Sequence, residues 1–573
     1  MQQLVHRSAA SARLFWFAAC AAALFTAAAA PASESNIALD NLTLTVGQTT
    51  YRIPHLELSG STLTAAELAD LFKGDEKAVD GRIARFSAKS LVIPSVTTES
   101  ASTGATERRQ YRDVRAEDIR AGRIGAVRIA GVEQTVERAN GGSVERWGPT
   151  LAKGVDLRQL AHIALAVRVD PQEALKPLAE EESVDSVTFE DKAERLTITT
   201  GRITMTGVKG RALASPATQL LERLEKYDPD KPGSDPTLPK DLVDAMSSFD
   251  IDSFDIRDIA AIGKGEPVEK PYSTKIARIA ASRIAGATVG DLSLDGLSMQ
   301  SSDGGVIALK HFGLRDARLA SFVDNPIPLI GHIEAKGLEG DLPDPRMGEA
   351  SRMKFSLAGV EADCKDVREI APTKFSARMD GLSIDLAARG EAPSTAQFLA
   401  LGYRNLDFSA ALAGEWREKT QEAVFAPLRL EGKDMGAATF GVTFGDVSSA
   451  VFSTMPIVAK AAALASSLKS VSVTVEGGGL VDRVLALEAK QDKKPMEKAR
   501  ADYARSAAAV ATALLGGGEK ARKVGDALSA YIMNPKRLHV RLVSAKGINA
   551  LDVMGKNFSD LFEGVEVEAT ADK

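Results

Sequence analysis

The chain of 573 residues has few cysteines, and this shortage excludes several kinds of stabilisation. Of its two cysteines, Cys20 lies in the apolar segment at the start, so Cys364 has no partner for an internal disulfide or a cysteine-ligated metal site. A chain of this size can be stable through its apolar core alone. Cys364 is therefore predicted to be a small buried residue.

Net charge and aromatic residues are also scarce. The formal net charge is −6 at pH 7, and aromatic residues make up 5% of the chain, with 3 Trp and 7 Tyr. Proteins that bind nucleic acid usually present a net basic surface, so we expect no nucleic-acid partner. Sugar-binding clefts and large protein interfaces are normally richer in aromatic side chains.

Long apolar runs are missing beyond the first 32 residues. Within them, a weakly basic start precedes the uncharged run 14–30, and Ala30-Pro31-Ala32 follows with the small residues of a cleavage site. This order predicts a signal peptide at 1–32 and a location in the periplasm or cell envelope after export. The alternative is an uncleaved inner-membrane tether formed by residues 14–30, although this alanine-rich run is short for a span.

The remaining chain alternates apolar and polar residues over short segments, with a few helical patterns between them. We predict an α+β fold of curved antiparallel β-meanders with helices packed on them and a helical segment near the C-terminus. The predicted divisions are a first β-rich lobe with helices at 33–227, a linker at 228–240, a second β-rich lobe at 241–450, and a helical segment with closing strands at 451–573. Pro, Gly and Asp in "DPDKPGSDPTLPK" indicate the linker.

Two early segments depart once from strict alternation. Their apolar residues have period two except for one step of three residues, and they are Ile37, Leu39, Leu42, Leu44 and Val46 in the first segment and Tyr51, Ile53, Leu56 and Leu58 in the second. The second step crosses Pro54. Such a step predicts a β-bulge or turn. Glycines inside "GHIEAKGLEGDL" and "KFSARMDGLSIDL" likewise predict bends in later strands.

Two passages resemble copies of one unit: "EDIRAGRIGAVRIAG" at 117–131 and "IAASRIAGATVGDLSLDG" at 279–296. Both contain Arg-Ile, small residues and an alternating run that ends in Gly. Repeat architectures have a fixed period and three or more copies. With two loose copies, a duplicated β-lobe and two independent β-meanders both remain open.

The region 406–447 predicts three antiparallel strands with one apolar face and turns at Lys419–Gln421 and Lys433–Asp434. The predicted apolar face consists of Leu406, Phe408, Ala410, Leu412, Gly414 and Trp416, then Val424, Ala426, Leu428 and Leu430, and then Phe440, Val442 and Phe444. Trp416 is predicted to pack at the rim instead of serving as a ligand platform, since no second aromatic residue is near it in the meander.

Motifs for catalysis or metal binding are not apparent. The histidines are His6, His55, His162, His311, His332 and His539, and none has the spacing of a known metal motif. The match to S-x-x-K at Ser466–Lys469 lacks its companion elements S-D-N and K-T-G. We therefore predict no catalytic, cofactor-binding or metal-binding residue and no cofactor, and we leave the ligand-binding residues unknown.

Three charged or glycine-rich stretches favour structural interpretations. The acidic stretch 249–258 lacks the Gly and Glu of a calcium loop and is predicted to be a solvated face. The glycines of "LLGGGEKARK" at 514–523 follow a helical pattern, which predicts a helix–turn–helix corner instead of a phosphate loop. Seven arginines within 108–128 could contact anionic head groups, but interspersed acidic residues favour a strand face of mixed charge.

Two blocks resemble a family of secreted bacterial proteins of unknown function. They are "LDFSAALAGEWREKTQEAVFAPLRLEGKDMGAATFGVTFGDV" at 406–447 and "GDALSAYIMNPKRLHVRLVSAKGINALDV" at 525–553. The β-rich layout behind a signal segment is also similar in architecture to AsmA-type envelope proteins, whose curved sheets are implicated in lipid handling. Neither resemblance implies a catalytic residue, and a likeness of architecture carries little functional weight.

The expected function is that of a non-enzymatic, exported cell-envelope protein that is structural or binds a lipid-like, apolar ligand. Membrane lipid or envelope proteins would be its partners. The alternatives are a secreted hydrolase without a recognisable motif and a membrane-anchored envelope assembly factor. An apolar groove open to solvent favours lipid binding, whereas a sheet face completely covered by helices favours a scaffold.

Overall fold

The structure is a computed structural model that describes most of the chain. The described residues are 35–46, 49–102, 105–138, 141–216, 219–220, 223–224, 235, 237–264, 271–318, 329–344, 351–368, 371–389, 393–549 and 564–572. The predicted signal segment 1–32 lies outside them, as do residues 228–234 and 236 of the predicted linker. The chain divides into two compact units, unit 1 (1–302 and 315–328) and unit 2 (303–314 and 329–573).

Unit 1 is built from long antiparallel strands and short helices. Its strands are β1 (Ser35–Val46), β2 (Thr49–Ser61), β3 (Ala88–Ser102), β4 (Ala105–Arg120), β5 (Arg123–Arg138), β6 (Ser143–Trp147), β7 (Thr150–Asp156), β8 (Lys176–Val184), β9 (Val187–Asp191), β10 (Leu196–Thr200), β11 (Ile203–Gly210), β12 (Phe249–Lys264), β13 (Pro271–Ala285) and β14 (Thr288–Gln300). Its helices are α1 (Ala65–Ala69), α2 (Glu76–Ile83), α3 (Leu157–Leu165) and α4 (Leu238–Ser247).

The strands of unit 1 pair mainly in chain order. β1 to β5 form a meander, and β12 to β14 form another. Between them lie three rows, each made of two short strands that follow one another end to end along the length of a long strand. The rows are β6 and β7, β8 and β9, and β10 and β11. β10 and β11 then both pair with β12, which closes the series.

A line of three-residue steps crosses β1 to β5, and we call it the crease. The buried residues on either side of it are Leu39 and Leu42, Ile53 and Leu56, Ile93 and Val96, Tyr111 and Val114, and Ile129 and Val132. Within the step, Asn41 has φ 55° and Asp113 has φ 47°, a left-handed conformation that shifts the alternation by one residue. The break in alternation predicted in the first two segments is therefore present, but it is not a β-bulge, because β1 and β2 keep one register across it. The same step recurs in three further strands, again without a change of register.

The crease also explains the short strands. Ile129 of β5 pairs with Thr150 of β7, and Val132 pairs with Trp147 of β6, so the gap between β6 and β7 falls at the level of the crease. Trp147 in turn pairs with Val187 of β9. The short strand pairs are thus long strands interrupted at one common level.

The two similar sequence passages share part of their local backbone. In each, a two-residue loop joins two strands, β4 to β5 and β13 to β14. Asp118 (φ 59°) and Arg283 (φ 52°) stand at equal distances before these loops, opposite Gly125 and Gly290. The loops themselves differ, since Ala121 and Gly122 both have positive φ whereas only Gly286 does in the second loop. This partial similarity is compatible with both interpretations of the origin of the passages.

The core of unit 1 lies between β1 to β5 and helices α1 to α3. Leu68 in α1, Val79 and Ile83 in α2, and Leu157 in α3 are fully buried against it. α1 begins at a capping box, in which the Thr64 hydroxyl accepts from the Glu67 N–H (3.2 Å) and the Glu67 carboxylate accepts from the Thr64 N–H (3.0 Å).

Unit 2 contains a second antiparallel series. Its strands are β16 (Leu329–Pro343), β17 (Arg352–Arg368), β18 (Ala371–Asp385), β19 (Asn405–Arg417), β20 (Glu422–Gly432), β21 (Gly436–Gly445), β22 (Ser467–Glu476), β23 (Arg537–Asn549) and β24 (Glu566–Ala571), while β15 (Val306–Arg318) crosses the division of the chain. Its helices are α5 (Pro393–Ala400), α6 (Pro456–Ala465), α7 (Gly479–Gln491), α8 (Met496–Leu514) and α9 (Glu519–Met533). Each strand from β16 to β24 pairs with the next.

The fold is β-rich and antiparallel, as predicted, but strands outnumber helices so far that α+β describes it only loosely. The predicted bends are present at Gly337 (φ 63°) and Gly381 (φ 61°), inside β16 and β18. The helix–turn–helix corner is confirmed, since residues 515–518 separate α8 from α9. No helix within the described ranges combines the length and the apolar character that crossing a bilayer requires.

Candidate functional site

One face of the β16–β24 series in unit 2 is apolar across all of its strands. Cross-strand pairs on this face include Val360–Met379, Leu412–Leu428, Leu428–Phe440 and Val473–Val540. Aligned apolar positions of this kind predict a face that requires a cover. What covers it decides whether the face is a core or a surface.

Helices cover both flanks of this apolar face. Tyr531 and Ile532 of α9 are buried with Leu538 of β23, and Ala569 of β24 packs against the same cluster. At the other flank, Leu386, Tyr403 and Leu406 form a buried cluster that Phe398 of α5 contacts.

The middle of the apolar face is open. Phe425, Leu428 and Leu430 of β20 and Phe440 of β21 are 36%, 44%, 48% and 38% exposed, and we call these four residues the open apolar patch. Exposure of four large, adjacent apolar side chains marks a surface for a ligand, a membrane or another protein. Among the described residues, helices therefore leave part of this face uncovered.

The meander that carries the patch is close to the prediction. Its turns lie at 418–421 and 433–435, with left-handed Gln421 and Asp434. The assignment of Val424 and Ala426 to the apolar face is wrong. The register shifts between Leu412 and Gly414, so that Phe425 lies opposite Gly414 and Val424 lies opposite Glu415 on the other face.

Pro427 gives the physical reason for that shift. Proline has no N–H to donate to the ladder, so sheets accept it at bulges and edges. The irregularity of β20 against both neighbours falls beside Pro427, between Phe425 and Leu428. The shift moves Phe425 onto the apolar face, and this residue joins the patch as a consequence.

A row of phenylalanine rings borders the patch. The ring centroids of Phe375 and Phe425 are 6.1 Å apart, as are those of Phe425 and Phe444. Gly414 lies between Phe375 and Phe425 in the register, and a Cβ atom there would stand 2.5 Å from the Phe375 ring. The glycine therefore lets the ring of one strand lie over the backbone of the next.

Cys364 is only partly buried, opposite Phe375.

Trp416 is held by its neighbours. Its indole N–H donates to the Val447 carbonyl (2.8 Å), and its ring packs against Phe452 with centroids 5.0 Å apart. The Arg368 guanidinium lies 5.2 Å from the ring centroid. These contacts agree with the predicted packing role at the rim, although Phe452 supplies the aromatic neighbour that the meander itself lacks.

The five described histidines pair with other side chains. His55 lies 2.6 Å from Asp40, His162 2.8 Å from Glu173, His311 3.4 Å from Glu334, His332 3.0 Å from Asp363, and His539 2.9 Å from the Thr474 hydroxyl. Partial burial disfavours the charged form of His162, but hydrogen bonds to Glu76 and Glu173 outweigh it and raise its pKa.

The neighbourhood of His332 does not have the order of a catalytic triad. In the register, Asp363 lies between His332 of β16 and Ser376 of β18. A histidine that activates a serine must contact that serine and be oriented by the aspartate from its other side. Here the carboxylate occupies the central position.

Other sequence features have structural partners. The Ser467 hydroxyl donates to Asp446 (2.5 Å), and Ser466 donates to the Ala463 carbonyl (2.6 Å), so the S-x-x-K match forms no Ser–Lys pair. Within the acidic stretch, Asp255 binds Arg257 (2.9 Å) and Arg278 (2.5 Å).

The arginine-rich stretch 108–128 pairs with acidic side chains, in agreement with the strand face of mixed charge that the sequence favours. Arg115 pairs with Asp113 (2.8 Å), and Arg123 pairs with Glu180 (2.6 Å).

Sequence reasoning missed one unusual carboxyl group. Glu182 of β8 lies opposite Ala152 and Met205, two apolar residues that pack against the core of unit 1. Burial raises the pKa of its carboxyl to about 7. Among the described residues it has no hydrogen-bond or ion-pair partner. Glu182 is one of three successive glutamates in the segment "AEEESVDS", so the sequence does not distinguish it from its two neighbours.

A family model described as "Uncharacterized protein" matches residues 429–572. The match contains all of the second block that resembles a family of unknown function, 525–553, and overlaps the first block from residue 429. It includes only the end of β20, with Leu430 of the patch, and continues to β24. No curated protein matches the chain.

Proposed function

We propose that the protein is an exported, non-enzymatic component of the cell envelope that binds a lipid-like ligand on the apolar face of unit 2. The observation that carries the proposal is the open apolar patch, in which four large side chains face solvent between two flanks that helices cover. Binding acyl chains there would remove this surface from water, with a gain of about 25 cal/mol per Å² of apolar area.

The shape of the cover supports an elongated ligand. The patch runs along two neighbouring strands, since Leu428 pairs with Phe440 and both Phe425 and Leu430 belong to β20. Apolar residues continue on both sides of it beneath α5 and α9. An acyl chain fits such a strip because it needs contact along its length and few polar partners.

The signal segment supports a location in the envelope. An exported protein meets membrane lipids and lipid precursors on the far side of the inner membrane, where an apolar patch has a ligand of matching chemistry. In a scaffold role, another protein would cover the patch, and the four apolar side chains would form part of a protein–protein interface.

The test is purification of the full chain from membranes in mild detergent, followed by mass spectrometry of bound lipid. We expect lipid in the native protein and its loss from Leu428→Lys and Leu430→Lys, because each lysine places a charge within the patch. Exposed leucines tolerate this change without unfolding, which circular dichroism would verify. A fluorescent fatty-acid analogue should bind these variants about tenfold more weakly, since burying one leucine contributes roughly 1.5–3 kcal/mol.

Ile262→Lys is the matched control. Ile262 is a 52% exposed apolar residue on a strand of unit 1, outside the patch. It should retain lipid at the native level. Lipid-free native protein, or equal lipid in the patch variants and the control, would contradict the proposal.

A further inference from the structure

A histidine and two carboxylates meet on the polar face of β16 and β17. His332 lies directly opposite Asp363 in the register, and Glu361 stands two residues before Asp363 on the same strand. Since side chains of a strand alternate, Glu361 and Asp363 project from the same face. One imidazole nitrogen of His332 and one carboxylate oxygen each of Glu361 and Asp363 lie within 4.8 Å of one another.

The burial of His332 is the second, independent observation. The residue is only 5% exposed, its Nδ1 lies 3.0 Å from Asp363 Oδ1, and its Nε2 is buried with no hydrogen-bond partner among the described residues. The edge of the imidazole that carries Nδ1 faces the carboxylate of Asp363, so Nδ1 is the ring nitrogen that would bind a metal ion together with the two carboxylates.

We propose that His332, Glu361 and Asp363 bind a divalent transition-metal ion of the Zn²⁺ type. Imidazole favours Zn²⁺ and its neighbours over Mg²⁺ and Ca²⁺, which take oxygen ligands. Three protein ligands leave a fourth position for water or an exogenous anion. The site lies on the polar face of the β16–β17 pair, so it is separate from the ligand surface proposed above and does not depend on it.

The distances allow tetrahedral coordination. Ligand atoms about 2.0–2.2 Å from a zinc ion stand roughly 3.3–3.6 Å apart. The pair formed by His332 and Asp363 is already at 3.0 Å. Glu361 is exposed, so its side chain can rotate to close the remaining distance.

Competing cations at the site have other partners. Arg378 lies opposite Glu361 in the register, but its Nε donates to Asp380 at 2.7 Å. Lys336 likewise contacts Glu334 at 2.5 Å. The carboxylate of Glu361 is therefore not held in an ion pair that a metal ion would have to break.

The test uses the full chain without a polyhistidine tag, treated with chelator and then dialysed against Zn²⁺, with the metal content measured by atomic emission. We expect one Zn²⁺ per chain and at least a tenfold weaker affinity in Glu361→Gln. Glu361 is exposed, so this variant keeps the fold, and a native circular dichroism spectrum would verify it. Asp363→Asn should weaken binding in the same way.

His539→Ala is the matched control, because His539 also belongs to unit 2 but bonds the Thr474 hydroxyl on β22. It should bind Zn²⁺ like the native chain. The proposal is overturned by an absence of Zn²⁺ from the native chain, or by native affinity in Glu361→Gln. It is equally overturned by a loss in His539→Ala as large as that in Glu361→Gln.

Discussion

Glu182 shows how one half-buried group makes the stability of a sheet depend on pH. Its carboxyl lies among apolar neighbours, and burial raises its pKa from 4.5 to about 7. Below the unfolded pKa, the group is protonated in both states and has no effect on the free energy of unfolding. As pH rises through the interval between the two values, the unfolded chain ionises while the folded chain resists, so stability is lost.

The variant Glu182→Gln should therefore be more stable than the native chain at pH 8 and about equally stable at pH 4.5. The expected gain at pH 8 is on the order of 1–2 kcal/mol, less than the full shift implies, because the side chain keeps some contact with solvent. Urea unfolding at both pH values measures it. Glu181→Gln is the control, since Glu181 pairs with Lys153 at 2.7 Å and has no such gain to make. Parallel stability profiles of Glu182→Gln and the native chain would refute this account.

Glycine opposite an aromatic ring is a recurring element in these strands. Gly414 faces Phe375, Gly340 faces Phe355, and both pairs are direct cross-strand neighbours. In each pair a Cβ atom on the glycine would stand 2.5 Å or less from the ring. The ring therefore occupies the space over the glycine and compensates for the missing side chain.

Gly414→Ala should lower the free energy of unfolding by about 1–3 kcal/mol, because the ring of Phe375 must leave its place between Gly414 and Phe425. Thermal or urea unfolding measures the effect. Gly359→Ala is the control, since its nearest neighbour would be a carbonyl oxygen at an ordinary 3.5 Å. The double variant Gly414→Ala/Phe375→Leu should recover part of the loss. Equal losses at Gly414 and Gly359 would rule out the steric explanation.

The same elements show what the sequence could predict. The period-two pattern identified the strands of the meander, and the steps of three around Asn41 and Pro54 located the change of buried side, because apolar residues record directly which side is buried. The pattern failed at Pro427, where two successive apolar residues, Phe425 and Ala426, fit either face. It also gave no sign of the left-handed residue at Asp113, since a charged residue is compatible with any exposed position.

The candidate sites were harder to predict than the strands. The apolar residues of the patch were identified, but their exposure depends on where helices α5 and α9 lie, which is a matter of tertiary packing. The cluster of His332, Glu361 and Asp363 joins two strands whose pairing is absent from any local motif. Spacing along the chain therefore predicted no metal site, although alternation would place Glu361 and Asp363 on one face.

At the scale of the whole molecule, export is the first matter to test. We expect the mature chain to begin at Ser33, because Ala30-Pro31-Ala32 provides the small residues that a signal peptidase requires. Mass spectrometry of the N-terminal peptide from the native protein identifies that end. Ala32→Leu should block processing and leave the full-length chain in the membrane fraction. A native chain that retains residues 1–32 would instead support the anchor formed by 14–30.

The crease has a consequence for how unit 1 reaches one alignment of its strands. In a sheet with uniform alternation, a strand that slides by two residues still presents its apolar residues to the core. The free-energy cost of such a register error is therefore small. Here a slide of two between β4 and β5 would set the buried Val114 opposite Gly131, which lies beside Arg112 on the other side. The aligned steps thus favour one register of these long amphipathic strands and make a shift by two residues unfavourable, which protects them against misfolding.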